Sequence, residues 1–162
     1  MTVSTTDPAR KAGGWLPPRF VIRAAWVIHR ALYRVLGRRR ALRPATDDTW
    51  GMMRLKTVGR KSGLERAAIL GYYEDGPNLV TMAMNGWGEA EPAWWLNLQA
   101  HPDTTVELHD RTLTVRGRAA TPEERPRLWE IWGRYDGPDE LEAWASRRPH
   151  ETAVVILEPM DV

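Results

Sequence analysis

The sequence predicts an α+β fold: about six mostly antiparallel strands closed, or nearly closed, into a barrel with helices on its outside. Three observations carry this. The element order reads helix, three strands, short helix, two strands, two helices, strand. The strands are mostly joined by hairpin signals, Asp75-Gly76-Pro77-Asn78 and a turn at Asp110. Little amphipathic surface is left over, so a sheet of this size must curl to cover its own apolar face.

The elements follow in order. "MTVSTTDPARKAGG" has no signal-peptide core, and residues 1–16 read as a disordered tail. Residues 17–162 read as one domain. Pro17 and Pro18 open a helix that Gly37 closes. At about 100° per residue, Arg19, Arg23, Arg30 and Arg34 share a narrow stripe of this helix. Ile22, Ala25, Trp26, His29, Leu32, Tyr33 and Leu36 make its apolar face. Such a helix packs on a domain with its arginines solvated, or lies on an anionic membrane surface.

Residues 38–51 read as a loop that begins with the run Arg38, Arg39, Arg40. "MMRLKTV" (52–58) alternates as a strand, "RAAILGYYED" (66–75) and "LVTMAM" (79–84) form a hairpin, and "NGWGEAE" (85–91) is a loop. Pro92 starts a short helix, "PAWWLNLQA", closed by His101-Pro102. "TTVELHD" and "RTLTVRGRAA" form a second hairpin around Asp110. Thr121 with Glu123 and Glu124 is an N-terminal helix signal for "PEERPRLWEIWGRY", with Pro126 delaying the start. "PDELEAWASRR" is a further helix, and "TAVVILEP" (152–159) is a buried final strand.

Composition narrows the function. The net charge of +2 gives no argument for nucleic acid binding. The chain has no cysteine, which excludes disulfides and thiolate chemistry and suits a reducing cytoplasm. No apolar run reaches transmembrane length. Nine tryptophans stand against one phenylalanine, and large flat side chains either fill cores or line pockets for flat ligands.

Two stretches carry candidate chemistry. In "LKTVGRKSGLERAAIL" (55–70), Arg60, Lys61 and Ser62 sit between Gly59 and Gly63. A phosphate-binding P-loop needs glycine immediately before its lysine and a helix after it. Here Arg60 precedes Lys61 and the flanks are strands, so that reading fails. What remains is a solvated basic turn or an anion site: arginine offers a planar fork, lysine a point charge, Ser62 a hydroxyl, and Arg66 extends the rim. In "MNGWGEAEPAWWLNLQAHP" (84–102), Trp94 and Trp95 occupy adjacent helical positions, so one can face the core and the other a pocket. Asn97 shares the face of Trp94 and could bond a ligand ring or cap the preceding loop. The four histidines show no metal-ligand spacing, and there is neither a nucleophile elbow nor a dinucleotide glycine fingerprint. We therefore name no catalytic residue. An enzyme without an evident acid, base, nucleophile or metal lets a cofactor carry the chemistry.

Taken together, "LKTVGRKSGLERAAILGYYEDG", "MNGWGEAEPAWWLNLQAHPDTTVEL", "RAATPEERPRLW" and "VVILEP" resemble the deazaflavin-dependent nitroreductase family of actinobacteria. The resemblance runs with even spacing over residues 53–129 and resumes at the last strand. It implies a split β-barrel and coenzyme F420, with flavin mononucleotide (FMN) as the alternative cofactor on the same fold. It implies that Arg60, Lys61 and Ser62 hold the cofactor's phosphate and acidic tail, with Arg66, Ala67, Ala68, Ile69, Leu70 and Gly71 on the strand beside it. Met82, Ala83, Met84 and Asn85 would lie under the deazaflavin ring, and Ala93, Trp94, Trp95, Leu96 and Asn97 would close over it. Trp26, Trp87 and Tyr135 are the expected substrate-pocket residues.

The implied reaction is hydride transfer from reduced deazaflavin to an electron-poor small-molecule acceptor. The alternative is a non-catalytic carrier of F420 or of a lipophilic ligand. Family members that reduce nitroimidazoles carry a hydroxyl residue in place of Met84, a lysine in place of Asn85, and several tyrosines around residues 135–142, where this chain keeps Tyr135. Quinones and other lipophilic conjugated acceptors therefore stand beside nitroaromatics. The expected location is cytoplasmic, with the arginine-striped helix as a peripheral contact to anionic membrane. Monomer and homodimer both stay open.

Overall fold

The computed structural model describes residues 42–160. The expected tail (1–16), the arginine-striped helix (17–37) with Trp26 and His29, and the run Arg38–Arg40 lie outside the described residues.

Six strands form a closed barrel in the order β1-β2-β3-β6-β5-β4, and every neighbouring pair is antiparallel. They are β1 (Gly51–Val58), β2 (Glu65–Asp75), β3 (Asn78–Met82), β4 (Asp103–Glu107), β5 (Thr112–Ala119) and β6 (Val154–Pro159). Three helices accompany them: α1 (Ala93–Ala100), α2 (Arg125–Asp136) and α3 (Pro138–Ala145). The barrel closes where Arg54 and Leu55 of β1 pair with Glu107 and Val106 of β4.

Strand alternation produces two apolar cores. Met53, Leu55, Leu70, Tyr72, Leu79, Val106, Val115, Val155 and Leu157 point into the barrel, and Trp95 and Leu98 of α1 plug it. The other face of β3 and β6, with Tyr73 of β2, packs Val80, Met82, Val154 and Ile156 against Leu128, Trp132 and Leu141 of α2 and α3. Each fully buried large aliphatic side chain contributes roughly 1.5–3 kcal/mol. The Tyr73 hydroxyl is not wasted in this core: it donates to the Leu128 carbonyl at 2.9 Å.

Gly117 is required for the plug. A Cβ there would lie 2.4 Å from Leu98 Cδ2, so α1 can settle onto β5 only over a bare backbone. Thr121 and Glu124 form a reciprocal cap, with Thr121 N–H donating to Glu124 Oε2 at 2.8 Å and Glu124 N–H to Thr121 Oγ1 at 3.4 Å. Regular helix nevertheless begins only at Arg125, with Pro126 in its first turn. The third strand is shorter than its apolar run: it ends at Met82, and just beyond it Ala83 N–H still donates to the Ala153 carbonyl at 2.9 Å.

Candidate active site

The site originates in a mismatch between strands. β2 has eleven residues and β3 five, and the two pair only over Tyr73–Asp75. Beyond that, the Thr81 hydroxyl donates to the Gly71 carbonyl at 2.7 Å, and then β3 stays with β6 while β2 runs on with β1 alone. Backbone groups of alternate residues point to the same side of a strand. Ile69 and Ala67 therefore aim their N–H and C=O, like those of Gly71, at an edge that no strand among the described residues covers.

A cavity of about 570 Å³ occupies this split, within the range of small-molecule and cofactor sites. Thr57, Gly59, Arg60, Lys61, Ser62 and Arg66 line one end. The β2 edge from Ala67 to Leu70 forms the floor. The segment Met84–Gly86 and the start of α1, with Pro92, Ala93, Trp94 and Asn97, form the opposite wall. Among these described residues the only ionisable side chains are Arg60, Lys61 and Arg66. They have no carboxylate partner among the described residues. The cavity thus has a cationic part, an apolar part that includes Trp94, and a strand edge able to donate and accept hydrogen bonds.

The cationic turn is rigidly built. Gly59 N–H donates to the Leu64 carbonyl at 2.8 Å, Gly63 N–H to the Gly59 carbonyl at 2.7 Å, and Leu64 N–H to Ser62 Oγ at 3.3 Å. Gly63 takes φ +68°, a left-handed value that glycine accepts without steric cost. Asn97 ties the turn to α1: its Oδ1 accepts from Arg60 N–H at 3.1 Å and from Arg60 Nη1 at 3.4 Å, and its Nδ2 donates to Thr57 Oγ1 at 3.3 Å. These contacts hold the β1–β2 turn, not the loop preceding the helix that the sequence offered as one of two roles for Asn97.

The structure brings most of the expected residues together. Arg60, Lys61, Ser62, Arg66, Ala67, Ala68, Ile69, Leu70, Met84, Asn85, Ala93, Trp94 and Asn97 line the one cavity. Five expected residues do not. Gly71 lies just past the split, covered by Trp50; Met82 faces the outer core; Ala83 is buried against the barrel core. Trp95 plugs the barrel, and Leu96, half-buried, is not part of the cavity lining. Of the expected substrate-pocket residues, Trp87 and Tyr135 do not line this cavity. Trp87 packs on Trp144, with ring centroids 6.0 Å apart, and Tyr135 stacks on Tyr73 at 6.0 Å, both in the outer core. Their excursion has one cause: α2 and α3 cover that face of β3 and β6, so nearby aromatics are drawn into packing. Thr57, Gly59, Gly86 and Pro92 line the cavity without having been expected. Alternation along β1 places Thr57 on the inner face with Leu55, a signal readable once the strand is recognised.

The family model for F420H(2)-dependent quinone reductases matches residues 32–159. Rv3178 of Mycobacterium tuberculosis (strain H37Rv) is 35% identical over 107 residues, covering 65% of this chain and 87% of its own length. The F420H(2)-dependent quinone reductase Rv1261c of the same strain is 28% identical over 105 residues, covering 64% of this chain and 70% of its own. The solved F420-H2 dependent reductase FDR-A superposes with a TM-score of 0.58 at 26% identity, over 66% of this chain and 93% of that one. A barrel split at β2, a cation-tipped turn at one end of the split, and a match over most of the chain agree: the chain belongs to the F420H(2)-dependent quinone reductase family.

Proposed function

We propose that this protein is an F420-dependent oxidoreductase that reduces a quinone or another electron-poor conjugated acceptor, with the cofactor in the cavity beside the open β2 edge. The observation that supports this reading is the cavity's polarity: three cations without carboxylate partners among the described residues, and an apolar lining from Ala67–Leu70, Ala93 and Trp94. Those residues fit F420, an elongated molecule with a flat ring at one end and an anionic tail at the other.

Bound F420H2 would supply a hydride to the acceptor. The chain's own part is to hold and to exclude. Arg60, Lys61 and Arg66 draw the anionic tail to the turn, with Ser62 and Asn97 keeping that turn in shape. The N–H and C=O groups of Ala67 and Ile69, which no strand among the described residues pairs, offer hydrogen bonds to the edge of a flat ring, and Trp94 offers it an apolar wall. On this reading Met84 and Asn85, which line the same cavity, would meet the acceptor. No described lining residue is a carboxylate, imidazole or phenol, so rate enhancement comes from orientation and exclusion of water.

The proposal extends to organisation: residues 17–162 act as one domain, and the arginine-striped helix that the sequence predicts at 17–37 would touch anionic membrane from which a lipophilic acceptor would come. Among the described residues no helix is long and apolar enough to cross a membrane.

Titration with F420 and with FMN, followed by ring fluorescence, tests the cofactor. Tight F420 binding is expected; tight FMN binding without F420 binding would refute the assignment. Turnover of F420H2 with a panel of quinones and nitroaromatics tests the reaction, and binding without turnover on any acceptor would mean a carrier.

A further inference from the structure

The wall of the cavity formed by Met84, Asn85 and Gly86 is held in a costly shape. Gly88 N–H donates to the Asn85 carbonyl at 3.0 Å, and the two residues between, Gly86 and Trp87, have φ of +56° and +57°. Two successive left-handed residues inside such a bond are the pattern of a type I′ turn. Glycine enters that region freely; a bulky residue such as tryptophan seldom does. Backbone of this kind persists only where its surroundings over-determine it.

Two anchors do so. One is the Trp87 ring, 8% exposed and packed on Trp144. The other is Arg148, whose side chain is 0% exposed. Its Nη1 donates to the Ala83 carbonyl at 2.8 Å and its Nε to the Gly88 carbonyl at 3.1 Å. One planar guanidinium therefore bridges the two ends of the segment Met84–Trp87. The fork is fixed in turn: Nη1 also donates to Thr152 Oγ1 at 2.8 Å, and Nη2 lies 2.9 Å from His150 Nε2 and 3.6 Å from Glu91 Oε2. A lysine, a point charge without a fork, cannot span both carbonyls. Arg148 itself does not line the cavity.

We propose that Arg148 is a positioning residue for the reaction: from outside the cavity, its guanidinium sets the Met84–Gly86 wall against the bound ring and acceptor and so controls turnover. This rests on the reading that the ring lies between that wall and the β2 edge. Hydride transfer depends steeply on the distance and alignment of its partners, so a shifted wall acts on kcat. The contacts of Arg148 include no residue of the cationic turn, so the hold on the anionic tail stays.

The test is Arg148→Lys, assayed well below its Tm beside the wild-type protein, with F420H2 and a quinone. The expected result is a fall in kcat of about tenfold. The salt dependence of F420 binding should match wild type, because Arg60, Lys61 and Arg66 are intact. A loss of about threefold or more with that salt dependence unchanged supports the proposal; a smaller loss, or a changed salt dependence, overturns it. If Arg148→Lys does not fold, Thr152→Val removes one fixing contact of the fork and is read by the same criterion. A wild-type protein that neither binds F420 nor oxidises F420H2 would sink the functional reading itself, whereas an active wild type with a fully active variant sinks only the role of Arg148.

Discussion

Asn97 on α1 and Arg60 in the β1–β2 turn are joined twice, from the Arg60 backbone N–H and from its guanidinium, both onto Asn97 Oδ1. This couples the plug of the barrel to the cationic end of the cavity. Asn97 is 5% exposed, and its amide also bonds Thr57 of β1, so the asparagine joins three segments with one side chain. The geometry of the turn is therefore a property of the helix as much as of its own glycines.

Replacing Asn97 by alanine should cost stability and affinity together. It leaves the Arg60 N–H without its acceptor near a buried position, a loss of about 1–3 kcal/mol. With Arg60 released, F420 affinity should weaken about tenfold, equivalent to about 1.4 kcal/mol. Urea melts and fluorescence titration on the same variant check both; unchanged affinity would mean the turn does not depend on α1.

Neutralising the turn should act electrostatically. The double variant Arg60→Ala, Lys61→Ala is expected to weaken F420 binding by about tenfold or more at low salt, and by less at about 1 M salt, where screening reaches only a few ångströms. Titrations at several ionic strengths measure this. A loss that does not change with salt would point to damaged folding of the turn instead.

Gly117→Ala tests the seat of α1. Its Cβ would meet Leu98 Cδ2 at 2.4 Å and Cγ at 2.7 Å, and Leu98 is 0% exposed with nowhere to go. Overpacking of this kind costs roughly 1–3 kcal/mol. Calorimetry should show the lower Tm, and because Trp94 and Asn97 ride on the same helix, F420 affinity should fall as well.

Acid should loosen α2 from the sheet. Hydrogen bonds from the Arg118 guanidinium hold the Glu124 carboxyl at about 2, well below its ordinary 4.5, and the Thr121 N–H adds to this. Arg127 likewise holds Asp75 below the usual carboxylate range through two bonds of 2.8 Å. A carboxyl with a depressed folded pKa stabilises above its unfolded pKa, and that contribution disappears as pH falls through the folded value. For Glu124 the window is therefore about pH 4.5 down to about 2. Both pairs are substantially solvated, so each is worth about 0.2–1 kcal/mol. Thermal melts of wild type and Glu124→Gln across this window should differ at pH 6 and converge towards pH 2; a constant gap would contradict the linkage.

Local chemistry determined much of this protein in one dimension. Alternation, hairpin signals and the punctuation by Pro92 and Gly76 are enough to lay out six strands and the order of the helices, because period and turn preference are properties of a few neighbouring residues. The basic turn at Arg60–Ser62 and its fixed separation from Trp94 and Asn97 were legible for the same reason. Tertiary structure decided what faces what. Trp94 meets the cavity while Trp95 fills the barrel, and Trp87 and Tyr135 are claimed by the outer core. Arg148 is the sharpest case. In "SRRPH" it looks like any arginine at a helix end, next to Arg147, and nothing local marks it for burial. Its role comes from carbonyls 60 and 65 residues earlier in the chain, which reach it only when β3 and β6 lie side by side. The split has the same origin: past the Tyr73–Val80 pair β3 stays with β6, as far as Ala83 N–H on the Ala153 carbonyl, and this parts it from β2, whose edge no described strand then covers.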